Sequence, residues 1–287
     1  MPVLKTSQAL LAERALKKAV RRDIGQTATW HIEENGPRIL FVHGFRGDHH
    51  GLMSIAGAIN ESSVVVPDLP GYGKSAELAG EHNLDNYGQW LVDFVAQAGG
   101  FDLVLGHSFG TLVVSSAHSK GLGIPTVLLN PITSRASEIG GAGQVLAQRY
   151  YDFGEKRPSA LANPAIVRGM SMLLTKSMDP RVRSFIHAQH ASYFSSYNSP
   201  RVVLEGFKAA STGSVLDYQN ELPDDLLLIA GERDLVAPLA RTVELFESKP
   251  NSQLEVIPKV GHLTHYETPV GVARLVERFV TDRKSVV

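Results

Sequence analysis

The sequence contains no cysteine. Disulfide bonds, thiolate metal sites and cysteine nucleophiles are therefore excluded, and the chain does not depend on an oxidising compartment. An excess of charge of one sign is lacking as well, because 28 basic residues stand against 29 acidic ones, for a net charge of −1. This balance provides no positively charged surface for a polyanion, so we expect no nucleic-acid partner.

Long hydrophobic runs are also missing. The most apolar part of the N-terminal region, residues 9–12, is followed at once by Glu13 and Arg14. A signal peptide needs an uninterrupted apolar core, and a membrane-spanning helix needs about 20 apolar residues. We therefore expect an amphipathic first helix within residues 1–20, no membrane association and a cytoplasmic location.

What the sequence does contain is a series of short apolar segments separated by longer stretches with helical spacing. Most of these segments are continuously apolar, which is typical of strands buried on both faces of a parallel sheet. Their alternation with helices predicts an open, mostly parallel α/β sheet. The six predicted strands are Arg38–Val42, Ser63–Val66, Asp102–Leu105, Thr126–Leu129, Leu226–Ile229 and Leu254–Ile257.

The spacing of these strands is interrupted once. Successive strands begin 24 to 39 residues apart, except for a step of 100 residues between the strands at 126 and 226. Because an ordinary strand–helix unit takes about 30 residues, we expect roughly 70 additional residues here, divided by four prolines into helical segments. We predict a core formed by residues 1–133 and 213–287, with residues 134–212 as a helical lid over the carboxyl ends of the strands, where open sheets bind ligands.

Ser108 is the predicted nucleophile. It is the centre of the sequence Gly-His-Ser-Phe-Gly at residues 106–110, between a predicted strand and a helical stretch at Phe109–His118. A serine presented on a sharp strand-to-helix turn needs small neighbours, because the backbone is strained and strand and helix nearly touch. The alternative is a structural turn that contains an inactive serine.

A serine hydroxyl is a weak nucleophile without a base, and the base is in turn oriented by an acid. In one recurrent chain order, acid and base follow the serine on loops after later strands. Asp234 follows the strand at 226–229 and is the predicted acid, although it could instead cap the helix near Pro238. After the last strand we favour His262 as the base, since the preceding glycine lets the loop turn inward, and expect His265 to be a packing or capping residue.

Two backbone N–H groups are predicted to stabilise the oxyanion. One belongs to Phe109, directly after the nucleophile, and the other to Phe45 in the loop that follows the first predicted strand. His43, which opens this loop, is expected to brace it.

Two further features near this loop carry no predicted function. The pair His49 and His50 lacks additional ligands in the sequence, so we predict no metal site. The tripeptide Arg46-Gly47-Asp48 matches an adhesion motif, which we interpret as coincidence.

Together these motifs resemble the α/β-hydrolase family over nearly the whole chain from about Thr27. The matching segments are residues 43–45, the proline-glycine loop at 67–75, and residues 106–110, 231–234 and 261–262. The resemblance implies the α/β-hydrolase fold, a lid made from the insertion and no cofactor.

The resemblance leaves the subfamily open. Haloalkane dehalogenases and epoxide hydrolases of this fold carry aspartate where this chain has Ser108. Ring-cleavage carbon–carbon hydrolases usually carry a glycine-rich segment that residues 43–48 lack. The menaquinone-pathway synthase has a similar His-Gly-Phe segment, but it usually has an arginine just after the serine motif, where this chain has Thr111 and Leu112. Cofactor-free haloperoxidase-like members share the same triad. By elimination we predict hydrolysis of a carboxylic ester, with carbon–carbon bond hydrolysis or a hydrolase-like receptor with little turnover as alternatives.

The predicted lid provides an indication of the substrate. Residues 134–210 contain ten Lys and Arg against five Asp and Glu, together with several aromatic residues. This composition would suit a substrate with an apolar body and an anionic group, but an ordinary helical surface with an aromatic core would show it as well. The predicted partner is a small ester or related carbonyl compound with an apolar body.

Overall fold

A computed structural model describes the backbone of residues 5–284 and the side chains of all of these residues except 142, 143 and 284. The outermost parts of the two predicted core segments, residues 1–4 and 285–287, lie outside the described residues. Within the described range, the helices are too short or too polar to cross a bilayer.

Eight strands form one sheet. Their bounds are β1 Val20–Ile24, β2 Thr27–Ile32, β3 Arg38–Val42, β4 Ser63–Pro67, β5 Leu103–His107, β6 Thr126–Leu129, β7 Leu226–Gly231 and β8 Gln253–Ile257. The strand order is β1-β2-β4-β3-β5-β6-β7-β8. The pairs β1–β2 and β2–β4 are antiparallel, and all other neighbours are parallel. The predicted mostly parallel α/β sheet is confirmed.

Helices surround this sheet and follow most of its strands. Their bounds are α1 Ser7–Lys18, α2 Met53–Ala56, α3 Leu84–Gln97, α4 Phe109–His118, α5 Ala136–Ile139, α6 Gly141–Lys156, α7 Pro164–Leu174, α8 Pro180–Tyr193, α9 Pro200–Thr212, α10 Leu239–Glu247, α11 Thr264–Glu267 and α12 Pro269–Lys284. Short 3₁₀ segments occur at His49–Leu52, Pro158–Ala162 and Val215–Tyr218.

The central strands are buried on both faces, because successive side chains point to opposite sides of a sheet. In β3, Leu40 and Val42 pack in a cluster with residues of α3, α4 and α10. Ile39 and Phe41 pack in a second cluster with α1, α2 and α12. Each such fully buried side chain contributes about 1.5–3 kcal/mol. Because helices cover both faces of the sheet, polar residues can lie at the carboxyl ends of the strands, which the helices leave open.

The strands β1 and β2 were not predicted from the sequence. Four of the five residues of β1 are exposed, and its sequence, Val-Arg-Arg-Asp-Ile, has no apolar run. An edge strand needs backbone pairing on one side only, so its side chains need not be apolar. The central strands β5 and β7 also run further than predicted, to His107 and Gly231.

Residues 134–212, between β6 and the 3₁₀ segment that leads to β7, are called the insertion below. They contain α5 to α9, and proline occupies the first position of α7, α8 and α9, where its missing N–H needs no partner. The insertion pairs with the proline-glycine loop through the backbone. The Gly73 N–H donates to the Ser196 carbonyl oxygen at 2.6 Å, and the Asn198 N–H donates to that of Gly71 at 2.9 Å.

Candidate active site

Ser108 lies at the turn between β5 and α4 with a φ of 53°, in the left-handed region that non-glycine residues rarely adopt. The two flanking glycines allow this turn. A Cβ at Gly106 would lie 2.6 Å from the Gly110 carbonyl oxygen, and a Cβ at Gly110 would lie 2.3 Å from that of Val42. Glycine is therefore required at both positions by the close approach of backbone atoms.

His262 and Asp234 meet Ser108 at the carboxyl edge of the sheet. Nε2 of His262 lies 2.7 Å from Ser108 Oγ, and its Nδ1 lies 2.8 Å from Asp234 Oδ2. Because the carboxylate only accepts, Nδ1 carries the proton, which leaves Nε2 as the acceptor for the serine hydroxyl. The three residues predicted as a triad thus form one continuous hydrogen-bonded chain, although up to 154 sequence positions separate them.

The Asp234 carboxylate accepts four hydrogen bonds. Oδ1 accepts from the Val236 and Ala237 N–H groups at 2.8 and 2.9 Å. Oδ2 accepts from His262 and from the Asn130 side-chain amide, both at 2.8 Å. Burial by itself would raise the pKa of Asp234, but the His262 imidazole and the backbone donors outweigh it, and the pKa lies below its ordinary value. Asp234 is therefore ionised at neutral pH.

Asn130 is a site residue whose role as a donor to Asp234 was not predicted from the sequence. It follows β6 directly with a φ of 50°, and its backbone N–H donates to the Ile229 carbonyl oxygen at 2.7 Å. Its position, one strand before the acid and at the same edge of the sheet, was the available signal. An amide cannot replace the acid, but it can donate to it.

The backbone N–H groups of Phe45 and Phe109 are free to act as donors. Within residues 5–284 neither donates a hydrogen bond, and both residues line the same cavity as Ser108. His43 holds the loop that carries the Phe45 N–H. Its Nε2 accepts from the Leu69 N–H at 2.9 Å, so the ring proton is on Nδ1, which donates to the Gly44 carbonyl oxygen, also at 2.9 Å. The loop is thus fixed by an imidazole that is fully hydrogen-bonded.

A cavity of about 670 Å³ opens above Ser108 and His262. Residues of both the core and the insertion line it, and most of the lining is apolar. The charged residues in its lining are Arg46, Asp48 and Lys176.

Arg46 has the largest of the fully buried side chains among the described residues. No carboxylate of residues 5–284 lies within ion-pair distance of it, and its guanidinium lies 4.5 Å from the ring centre of Phe194. All of its hydrogen-bond acceptors belong to the insertion. They are the carbonyl oxygens of Leu161 and Phe194 and the hydroxyls of Tyr150, Tyr151 and Ser195. Arg46 therefore attaches the insertion to the loop that carries the Phe45 N–H.

The histidine pair beside this loop is hydrogen-bonded to carboxylates. Asp48, His49 and His50 bring one possible metal-ligand atom each within 4.8 Å of one another. However, Nδ1 of His50 lies 3.0 Å from Asp48, and Nδ1 of His49 lies 2.9 Å from Asp68. Hydrogen bonding therefore accounts for this grouping. The adhesion tripeptide is inaccessible to a receptor, because Arg46 and Asp48 are both buried.

His265, the second histidine considered as the base, makes no hydrogen bond with Ser108 among the described residues. Its ring packs against those of His107 and Tyr266, with ring centres 4.1 Å away in both cases. His265 is therefore a packing residue. It does not cap α11, because the N-cap residue of that helix is Leu263.

Known structures share this architecture. An esterase from Exiguobacterium antarcticum superposes with a TM-score of 0.74 at 15% identity, over 89% of this chain and 96% of that one. A bromoperoxidase from Bacillus anthracis superposes with a TM-score of 0.73 at 16% identity, over 92% of this chain and 99% of that one. MenH from S. aureus superposes with a TM-score of 0.70 at 17% identity, over 91% of this chain and 99% of that one. At these identities the likeness shows the fold alone.

Two sequence comparisons complete this result. The chain is 39% identical to 2-hydroxymuconate semialdehyde hydrolase of Pseudomonas putida over 61 residues, which are 21% of this chain and 22% of that enzyme, so the match spans about a fifth of the curated relative. The model of the family described as Alpha/beta hydrolase family matches residues 39–275. This match covers most of the chain and includes Ser108, Asp234 and His262. The chain belongs to the alpha/beta hydrolase family.

Proposed function

We propose that the protein is a serine hydrolase that cleaves a carboxylic ester through an acyl-enzyme on Ser108. The observation that carries this proposal is the hydrogen-bonded chain from Ser108 through His262 to Asp234. The N–H groups of Phe45 and Phe109 beside it, which make no hydrogen bond among the described residues, provide donors for an oxyanion.

The reaction proceeds in two acyl transfers. His262 accepts the hydroxyl proton while Ser108 Oγ attacks the ester carbonyl carbon, and Asp234 stabilises the imidazolium that forms. The N–H groups of Phe45 and Phe109 donate to the negatively charged oxygen of the tetrahedral intermediate. The loss of one such donor typically costs about 10²–10³ in rate. His262 then protonates the leaving alcohol, and water attacks the acyl-enzyme with the same assistance to release the acid and restore the serine.

The insertion acts as the lid of this site, and residues 1–133 and 213–287 act as the catalytic core. The cavity supports this division, because both parts line it. Of the ten Lys and Arg residues in the insertion, Lys176 is the one that lines the cavity. The mostly apolar lining favours a substrate with an apolar body and gives little support for an anionic group. A cytoplasmic location stays a prediction.

Carbon–carbon bond hydrolysis is the second candidate function. The observation in its favour is the 39% identity over 61 residues to 2-hydroxymuconate semialdehyde hydrolase. Such a reaction would use the same serine, histidine and acid on a vinylogous 1,5-diketone instead of an ester.

The test compares the wild type with Ser108→Ala and with Ser119→Ala as a matched control, since Ser119 lies at the other end of α4 and outside the cavity. We expect the wild type and Ser119→Ala to hydrolyse p-nitrophenyl butanoate and to be labelled by a fluorophosphonate, and Ser108→Ala to do neither.

Three other outcomes would contradict the proposal. Full activity in Ser108→Ala would exclude this serine as the nucleophile. Activity on a vinylogous 1,5-diketone with negligible esterase activity would favour the carbon–carbon hydrolase. Ligand binding with a thermal shift but without multiple turnover would indicate a receptor.

A further inference from the structure

Apart from His43 and His262, three histidines line the cavity next to the proposed triad. His107 ends β5, His265 lies in α11, and His190 comes from α8 of the insertion. All three are buried, with 5–8% of their surface exposed. The rings of His107 and His265 lie 4.1 Å apart, and the ring of His190 lies 5.8 Å from that of Tyr266, the neighbour of His265.

These imidazoles lack the hydrogen bonds that buried polar groups normally make. Within the described part of the chain, the rings of His190 and His265 make none. Nδ1 of His265 is fully buried, so Nε2 is the nitrogen of this ring that a ligand in the cavity can reach. The ring of His107 has one long contact, from Nε2 to the His262 carbonyl oxygen at 3.4 Å.

Buried histidines elsewhere in the protein are paired. Nε2 of His118 lies 2.7 Å from the Thr126 hydroxyl, and Nδ1 of His187 lies 2.6 Å from that of Ser171. Missing partners therefore distinguish these three histidines from the other buried histidines of the protein, including His43, which lines the same cavity but is hydrogen-bonded at both ring nitrogens.

The three rings are neutral at physiological pH. Burial, together with the neighbouring His262, lowers the pKa of His107 to about 3. Burial lowers the pKa of His190 to about 4 and holds that of His265 well below its ordinary value. A neutral imidazole presents one N–H donor and one acceptor nitrogen, so it suits a group that both donates and accepts, or a pair of uncharged polar atoms.

The surroundings argue against a charged ligand. The guanidinium of Arg46 is already engaged by five oxygen acceptors of the insertion. Lys176 is partly exposed, and its ammonium donates to the Leu173 carbonyl oxygen at 3.1 Å. The three ring systems also do not bring their nitrogens together within the 4.8 Å that a shared metal ion would require.

We propose that His107, His190 and His265 form a subsite for an uncharged hydrogen-bonding group of the substrate, a hydroxyl or a carbonyl. This inference rests on the proposed function, because it places the ester in the cavity above Ser108. The substrate class is then an apolar ester that carries a hydroxyl or keto group, and not a purely alkyl or aryl ester.

The test uses pairs of esters of equal size that differ in one hydroxyl. On the acyl side, p-nitrophenyl 3-(4-hydroxyphenyl)propanoate is compared with the 4-methylphenyl analogue. On the alcohol side, the butanoate of 4-hydroxyphenethyl alcohol is compared with that of 4-methylphenethyl alcohol. In at least one series we expect the wild type to prefer the hydroxyl ester by about tenfold in kcat/KM, since a site built to hydrogen-bond a hydroxyl rejects the analogue without one.

His265→Leu and His190→Leu should each lower this preference severalfold, and His265→Asn, which keeps a donor and an acceptor, should retain more of it than His265→Leu. His118→Leu is the matched control, because it removes a buried imidazole outside the cavity and should keep the wild-type preference. The ratio of two substrates on one preparation is independent of the folded fraction, so partial unfolding of a variant does not obscure the result.

Equal kcat/KM for both members of each pair in the wild type would overturn the subsite. So would an unchanged preference in both His265→Leu and His190→Leu. Failure of the wild type to hydrolyse any of the four esters, with p-nitrophenyl butanoate still hydrolysed, would overturn the subsite alone. Failure on p-nitrophenyl butanoate as well would overturn the proposed ester hydrolysis, and the subsite with it.

Discussion

The carboxyl edge of the sheet and the insertion border the same cavity, but they are held in place in different ways. At the edge, Ser108 and Asn130 adopt left-handed backbone conformations, and Asp234 accepts four hydrogen bonds. The insertion, by contrast, leaves large hydrophobic side chains exposed. Six of the twelve that are exposed in the described structure lie in it. They are Val145, Leu146, Phe153, Met172, Leu173 and Met178.

The attachment of the insertion is correspondingly different. It depends on the hydrogen bonds of Arg46, on backbone pairing with residues 71–73, and on aromatic packing around Phe45, such as its contact with Phe207. The core therefore sets the geometry of the proposed triad, whereas the insertion determines the space above it. Substitutions in either region should change one of these two contributions and leave the other intact.

The largest effect is expected for Asp234→Asn, which alters the core side of the comparison. An asparagine no longer holds His262 in the tautomer that accepts the serine proton, so kcat for p-nitrophenyl butanoate should fall by about 10⁴. Proteolysis within residues 134–212 should stay at the wild-type rate. Asp224→Asn is the control, because Asp224 precedes β7 at the opposite end of the strand and is exposed. An Asp234→Asn variant with wild-type kcat would exclude Asp234 as the acid.

Arg46→Met alters the attachment of the insertion. It removes the donor to the Phe194 carbonyl oxygen and one of the two donors to that of Leu161, which keeps the Tyr150 hydroxyl. An acceptor left without a partner costs about 1–3 kcal/mol. We expect faster proteolytic cleavage within residues 134–212 and a kcat/KM reduced by about tenfold or more. Arg157→Met, which removes an exposed arginine of the insertion, should leave both quantities unchanged. Cleavage of Arg46→Met at the wild-type rate would refute the role of Arg46.

Asn130→Gly tests whether the hydrogen bond from the Asn130 side chain to Asp234 contributes to the reaction rate. Glycine accepts the φ of 50° without strain but lacks the amide that donates to Oδ2. We expect kcat to fall by about tenfold with little change in KM, since hydrogen bonds to charged groups contribute about 1.5–3 kcal/mol and Asn130 does not line the cavity. Lys259→Gly, at a residue with a φ of 63° on an exposed loop, is the control for the backbone effect. An unchanged kcat would contradict this role.

The smallest effect is expected on the outer surface of the insertion. Met178 is 88% exposed, so Met178→Ala should change the free energy of unfolding by no more than about 0.5 kcal/mol. The matched substitution Met53→Ala removes a fully buried side chain of the core and should cost about 2–5 kcal/mol. Denaturant unfolding measures both. Similar values for the two variants would show that the surface of Met178 is covered in solution.

The parts of the fold that could be predicted are those where a local pattern has one structural meaning. Continuous apolar runs such as residues 38–42 and 126–129 need burial on both faces, and they are central parallel strands. The exposed strand β1 follows no such rule, because its pairing with β2 is made by backbone groups that every sequence has. It was therefore missed.

The candidate site divides in the same way. Ser108, Asp234 and His262 each come shortly after a strand, in a loop or turn that contains a glycine, so their order along the chain indicated their meeting at one edge. Arg46 could not be predicted, because no pattern around it indicates that its acceptors lie in the insertion. Asn130 offered its place after β6 as a signal, but its donation to Asp234 follows only from the folded chain. Likewise, the missing partners of a buried imidazole such as that of His265 are a property of the cavity and leave no sequence signal.

The pairing between the proline-glycine loop and the insertion has a consequence for how this protein can change over evolutionary time. The hydrogen bonds between residues 71–73 and 196–198 join main-chain atoms only, so they are indifferent to most side-chain replacements in the helices on either side. Mutations in α6 to α9 can therefore accumulate and reshape the cavity while this backbone pairing is preserved. Divergence of substrate preference among descendants of this chain would then require no change in the residues that carry out the chemistry.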